Sequence, residues 1–389
     1  LFNETRNPYS DKKRIAFLST YKPRECGIAT FTKDLVDALD LLDEFRPARV
    51  IAMNEEETIY NYDSRVKWQI RQGSEEDYIQ AASYVNSSKI DLVNLQHEFG
   101  IFGGEWGRYI VSLLETVQKP VVTTLHTVQP DFDLKAQRVL KDIISRSVSI
   151  IVMAKAASNI LQKYNIPKKK VNVVPHGCPD IPFVSSESVK RSLGLKGRTL
   201  LSTFGLINAG KGIEYAIQAL PLIVDKRPDV LYLIIGETHP EVRKIEGERY
   251  RMKLIQLVDE LGLKNHVKFH NRFLPERELV RFLQATDIYI TPYVSPYQIS
   301  SGTLVYALAT GRAIVSTPFL QANEVLAEGR GLFSEFKKPN SIAENVNKLL
   351  ADEDLRINME KKAYEYSRNL IWPKVAKRYT SIFKKAIKT

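Results

Sequence analysis

The chain has 389 residues, a formal net charge of +11, 44% hydrophobic and 26% charged residues. It is long enough for more than one buried core, and no uninterrupted apolar run approaches the roughly 20 residues of a bilayer span. Cys26 and Cys178, the two cysteines, are too few for a disulfide framework and lie in no metal-ligand spacing, so they read as thiols of a cytoplasmic protein without a bound metal.

The opening LFNETRNPYSDKKR lacks the apolar core of a secretion signal. It does not begin with Met, which suits a processed piece of something longer. From there strand and helix patterns alternate. RIAFLST (14–20) reads as a buried strand and FTKDLVDALDLL (31–42) as an amphipathic helix. Strand ARVIAMN, helix SEEDYIQAASYVNS, strand IDLVNLQHE, helix WGRYIVSLLETV and strand PVVTTLHTV follow. Helix LKAQRVLKDIISRS, strand SIIVMA, helix AASNILQKYN and strand VNVVPHG complete the first series. Near-continuous Val/Ile/Leu strands separated by helices mark an α/β fold with parallel sheets covered on both faces.

Residues 178–198, rich in Pro, Ser and charge, read as a linker. The alternation then resumes through TLLSTFG, GIEYAIQALPLIVDK, VLYLIIGET, RYRMKLIQLVDELGL, VKFH, ERELVRFLQATD, IYITPY, LVYALATG and AIVST. Helical patterns run from about 339 onward, and WPKVAKRYTSIFKKAIK is an amphipathic closing helix. Two parallel α/β domains in series are expected, facing each other across a cleft, with ligands outside the carboxyl ends of the strands.

The unusual residues lie at those ends. Gly27 opens a helix after the first strand, where a backbone can approach a phosphate closely. HEFGIFGG places His97 and Glu98 before a glycine loop containing Gly103, a pattern suited to substrate recognition. His126 follows another strand and can donate to a hydroxyl or pyrophosphate. In the second series, Lys211 and Gly212 stand at a helix mouth, where a cation works against the helix dipole unless an anion is bound. Ser301, Gly302, Thr303 and Leu304 open a second helix, and two such starts make a diphosphate cradle.

These pieces resemble the retaining, nucleotide-sugar-dependent glycosyltransferases of family 4, with the GT-B fold of two Rossmann-like domains. The matching stretches are FGLINAGKGIEYAIQALPLI, LYLIIGE, LGLKNHVKFHNRF, ELVRFLQATDIYITPY and LVYALATGRAIVST, with CGIATFTKDL and TLHTV in the first half. The resemblance implies an acceptor-side domain over 1–180, a nucleotide-sugar donor domain over 181–371 and a helix, 372–389, crossing back to the first. It implies that Lys211 holds donor phosphate, that the amides of Ser301 to Leu304 cradle the pyrophosphate, and that Gly27 and His126 contact the donor. His97, Glu98 and Gly103 then fall to the acceptor. The family's two glutamates around the cradle are replaced by Gln298, which can still bond sugar hydroxyls, and by Tyr306, which cannot hold two ribose hydroxyls as a carboxylate does. An Arg usual before the phosphate Lys is Leu206 here, and Arg272 is the candidate replacement.

The implied reaction is retaining transfer of a hexosyl group, of mannosyl or glucosyl type, from a nucleoside diphosphate sugar to a hydroxyl of a carbohydrate or lipid-linked acceptor. No obligatory cofactor or metal is implied. Three rivals share the architecture: a phosphorylase using inorganic phosphate, favoured by the loss of a carboxylate at Tyr306, a nucleotide-sugar epimerase, and a non-catalytic sugar- or nucleotide-binding module. The positive charge is diffuse and no zinc-finger, helix-turn-helix or RNA-recognition pattern occurs, which argues against nucleic acid. It suits peripheral contact with the inner membrane surface as well as a soluble acceptor.

Overall fold

The computed structural model describes residues 12–56 and 58–388, so the opening segment up to residue 11 lies outside the described residues. Two compact units divide the chain. The described residues up to Gly177 cluster with the closing helix Trp372–Lys388, and Cys178–Ile371 form the other unit.

Unit 1 is built on β1 (Arg14–Ser19), β2 (Arg46–Asn54), β3 (Val66–Arg71), β4 (Leu92–His97), β5 (Val121–Leu125), β6 (Ser149–Val152) and β7 (Val171–Val173). The sheet order is β3-β2-β1-β4-β5-β6-β7, and the strands pair in parallel. Strands β4 and β5 are buried along their whole length, so their apolar residues need no alternation. β3 was not legible: VKWQIR is an edge strand with mostly half-exposed residues, so it carries no continuous apolar run. The helix expected over 31–42 spans Gly27–Leu41. The closing helix buries Trp372, Val375, Ala376, Tyr379 and Phe383 in one cluster with Phe17, Phe31 and Leu35. Full burial of each large apolar side chain contributes about 1.5–3 kcal/mol, which fixes this helix to unit 1.

Unit 2 holds β8 (Thr199–Phe204), β9 (Val230–Ile235), β10 (Val267–His270), β11 (Ile288–Thr291), β12 (Ala313–Ser316) and β13 (Leu332–Phe333), again parallel, in the order β10-β9-β8-β11-β12-β13. The fold is thus α/β, with two Rossmann-like units of corresponding strand order. The supposed linker needs correction, because it contains the helix Ser186–Ser192. Its Lys190 lies buried against Asp287, Nζ to Oδ2 2.6 Å, and Ser186 Oγ donates to the same carboxylate. A short polar helix shows no apolar stripe in sequence; here a buried ion pair holds it, and losing one partner would cost about 3–5 kcal/mol.

Candidate functional site

Parallel strands put all their carboxyl ends on one side of a sheet, and each unit gathers its unusual residues there. In unit 2, β8 and β9 are each followed directly by a glycine. Gly205 and Gly236 have φ of +133° and +132°, and a Cβ on Gly236 would lie 2.1 Å from the Gly205 carbonyl oxygen. Only a glycine at 236 allows that approach, and the positive φ at both positions favours glycine. Beside Gly205 comes Lys211, whose Nζ would lie 3.3 Å from a Cβ placed there.

Lys211 Nζ donates to Tyr293 Oη at 2.7 Å and stands 4.3 Å from the centre of that ring. Tyr293 Oη in turn lies 2.7 Å from Thr303 Oγ1 and 3.2 Å from Ser301 Oγ. Burial pushes the Tyr293 phenol up, but the neighbouring ammonium and the hydrogen bonds from Lys211, Ser301 and Thr303 outweigh it and hold the group below its ordinary value. No carboxylate pairs with Lys211 among the described residues, so its charge is not neutralised within the protein. Ser301 is the N-cap of helix Gly302–Ala309, its Oγ accepting from Leu304 N. This corrects one expectation: the Leu304 amide is already taken by the cap, and the amides of Gly302 and Thr303 are the ones a helix start leaves without intrahelical acceptors.

Three other donor-side residues have different surroundings. Gln298 is exposed, with Nε2 donating to Ser300 O at 2.6 Å. Arg272 is engaged with Glu278 in an exposed ion pair. Buried Tyr306 donates from Oη to Glu276 Oε2 at 2.9 Å. A carboxylate therefore stands at the place where sequence showed only a phenol. Glu276 comes from the start of helix Glu276–Ala285 and is itself exposed. Sequence reading missed Tyr293, Gly205 and Glu276. The signal for the first was a polar Tyr directly after a strand, and for the third there was none, because its partner lies 30 residues away.

In unit 1, Gly27 begins its helix with open space where a Cβ would point. His97 ends β4, and His126 follows β5, its N–H bonded to the His97 carbonyl at 2.9 Å. A chain of amides sets the His126 tautomer. The Val122 carbonyl can only accept, so Asn94 Nδ2 donates to it at 2.9 Å. Asn94 Oδ1 then accepts from Gln96 Nε2 at 2.6 Å, and Gln96 Oε1 faces His126 Nε2 at 2.8 Å. His126 Nε2 must donate, and Nδ1 of the neutral ring is an acceptor. The Nε2 N–H expected to donate to a hydroxyl or pyrophosphate is thus spent on Gln96, which leaves Nδ1 to accept a hydrogen bond from a hydroxyl.

Burial, with His176 and His97 nearby, pushes His126 down to about 3, and burial alone does the same to His97. His97 stacks on Phe102 and meets Phe99 edge-on, with both ring nitrogens buried and unpartnered. Phe31 stands 4.9 Å from each of His126 and His176 and 5.2 Å from Trp372. Glu98 accepts from Thr127 Oγ1 at 2.5 Å and from Phe99 N at 3.0 Å; burial nevertheless raises its carboxyl. Gly103 is a packing glycine. Its N–H donates to Tyr78 Oη at 2.9 Å, and a Cβ would lie 1.9 Å from Gln72 O, so it offers no free amide to an acceptor. Among the described residues, no three His, Cys, Asp or Glu side chains come together in a way that could hold a metal ion.

Residues 185–366, just under half of the chain, match the family described as "Glycosyl transferases group 1". The match falls within unit 2, which is similar in sequence to the group 1 glycosyltransferases. The chain is 27% identical over 205 residues to spore coat protein SA of Bacillus subtilis (51% of this chain, 52% of that protein). It is 24% identical over 259 residues to the D-inositol 3-phosphate glycosyltransferase of Corynebacterium urealyticum (64% and 60%). The matched regions thus span about half to three-fifths of these relatives. HepE of Anabaena, solved in complex with UDP and glucose, shares the fold at a TM-score of 0.78 and 16% identity, over 96% of this chain and 100% of that one. No helix among the described residues is long and apolar enough to cross a membrane.

Proposed function

We propose that the chain is a retaining glycosyltransferase that moves a mannosyl- or glucosyl-type group from a nucleoside diphosphate sugar to a hydroxyl acceptor. The observation carrying this reading is Lys211: a cation with a phenol but no carboxylate as partner, between a glycine strand end and a helix start. In the reaction, the bond from the sugar C1 to the β-phosphate oxygen breaks, and the acceptor oxygen bonds to C1 on the same face. The acceptor proton passes to the departing phosphate. Lys211 and the amides of Gly302 and Thr303 stabilise the diphosphate charge as it develops. Tyr293 holds the ammonium in place. Gln298 faces the transferred sugar, and the Tyr306–Glu276 pair meets the ribose, so the phosphorylase reading loses the support that a missing carboxylate gave it. His126, as a neutral acceptor, takes a sugar hydroxyl, and His97 and Glu98 shape the acceptor side. The acceptor is a soluble carbohydrate or cyclitol, or a lipid-linked one reached from the cytoplasmic membrane surface.

UDP is the first nucleotide to try, since HepE was solved with it. A thermal-shift panel of UDP, GDP, ADP, their sugar conjugates, inorganic phosphate and sugar phosphates tests the reading. One nucleotide at 100 times its dissociation constant should stabilise by about 2.7 kcal/mol. A response to phosphates alone would sink the proposal, and an inverted anomer in the product, read by proton NMR, would sink retention.

A further inference from the structure

The glycine loop after β4 does more than carry His97 and Glu98. Trp106, within a 3₁₀ turn of this loop, has φ +54° and ψ +29°, a left-handed conformation that a bulky residue rarely adopts. Gly104 and Gly107, with φ of +77° and +71°, bracket it. Despite that backbone cost the indole is not sequestered, for Trp106 is 37% exposed. Its inner side rests on Phe99 (5.5 Å, 82° between planes) and Phe132 (6.4 Å, 75°), with no parallel ring stacked on it. Phe132 stacks on Tyr164, whose hydroxyl bonds the Gln129 carbonyl at 2.7 Å. Tyr78 Oη and Gln72 pin the loop through Gly103 N and the Gly100 carbonyl. Beside the indole, Glu105 and Lys135 form an exposed pair, Oε1 to Nζ 2.8 Å.

A rigid loop that spends backbone strain on showing an aromatic face to solvent is built for a ligand. The flanking carboxylate and ammonium define its chemistry. A pyranose or cyclitol ring has an apolar C–H face that can lie on an indole, and hydroxyls at its edge that bond charged groups. We propose that Trp106 is a stacking platform for the ring of the sugar or cyclitol acceptor, with Glu105 and Lys135 taking its hydroxyls. The proposal rests on the glycosyltransferase reading and names its acceptor subsite.

The test uses the full chain with Trp106→Phe and Trp106→Asn, the latter because Asn accepts the left-handed backbone and keeps the fold. Methyl α-D-mannopyranoside, methyl α-D-glucopyranoside and myo-inositol are titrated by saturation-transfer NMR, with UDP stabilisation measured alongside. At least one ring should bind the wild type, bind Trp106→Phe within about threefold, and bind Trp106→Asn at least tenfold more weakly, with the UDP response unchanged in all three. Equal binding to Trp106→Asn overturns the platform. So does a wild type that answers to a nucleotide but to none of the rings, or that needs Trp106 only to co-sediment with anionic phospholipid vesicles. If rings bind through Trp106 but no nucleotide stabilises the protein, the platform stands and the glycosyltransferase reading falls.

Discussion

The two units run their strands in corresponding orders and gather functional side chains at the same ends, yet the chemistry there is opposite. Unit 1 presents neutral imidazoles, His97 and His126, packed among Phe31, Phe99 and Phe102. Unit 2 presents an ammonium on a polar floor of Tyr293, Ser301 and Thr303. The common framework fixes where a ligand meets the sheet; a handful of residues beyond the strand ends decides whether that place suits hydroxyls or phosphate.

Acid should separate the units most strongly. His97 and His126 sit near 3 in the folded chain and near 6.5 when unfolded, so the unfolded state binds more protons between those values and stability rises with pH there. Lowering the pH from 7.5 to 5 should cost unit 1 about 2 kcal/mol per ring. Glu98, raised by burial, works in the opposite sense above its unfolded value and offsets part of this loss, and half-buried His270 adds a smaller loss in unit 2. Hydrogen exchange at pH 5 should show β4 and β5 losing protection ahead of β8 and β9. Equal loss in both sheets would remove the contrast.

Next in size is Lys211→Ala. On the proposed reading the Lys211 ammonium is the charge that stabilises the leaving diphosphate, and its removal should lower kcat/KM about 10²-fold or more. Melting should stay within about 1 kcal/mol of wild type, because the half-buried side chain bonds only Tyr293. Turnover within about threefold would show that unit 2 does not work as an anion site. Smaller still, Tyr306→Phe frees the Glu276 carboxylate from its donor and should weaken UDP binding about 5–10-fold in titration, without changing the response to a sugar phosphate. An unchanged UDP affinity would detach the Tyr306–Glu276 pair from the nucleoside.

Much of this fold was legible because parallel strands buried on both faces announce themselves as Val/Ile/Leu runs. β3 and the helix Ser186–Ser192 were not, since one is a half-exposed edge and the other is held by Lys190 and Asp287 rather than by an apolar face. At the site, Lys211 and the Ser301–Thr303 turn stood out because a cation at a helix start and a small polar run after a strand are rare locally. Glu276, the tautomer of His126 and the capped Leu304 amide depend on partners brought together by the fold, and no spacing in the chain encodes them. Gly103 illustrates the reverse: a loop glycine invites a ligand on paper, while here Gln72 and Tyr109 leave no room even for a methyl group.

The closing helix has a consequence for biosynthesis. Unit 2 is contiguous, and its two ends meet, Cys178 N donating to Leu370 O at 2.9 Å. Unit 1 is interrupted: Tyr379 Oη reaches Thr124 Oγ1 at 3.2 Å across 255 residues of sequence. A growing chain can therefore finish unit 2 while unit 1 still lacks Trp372, Tyr379 and Phe383. On the ribosome, the half begun first is completed last.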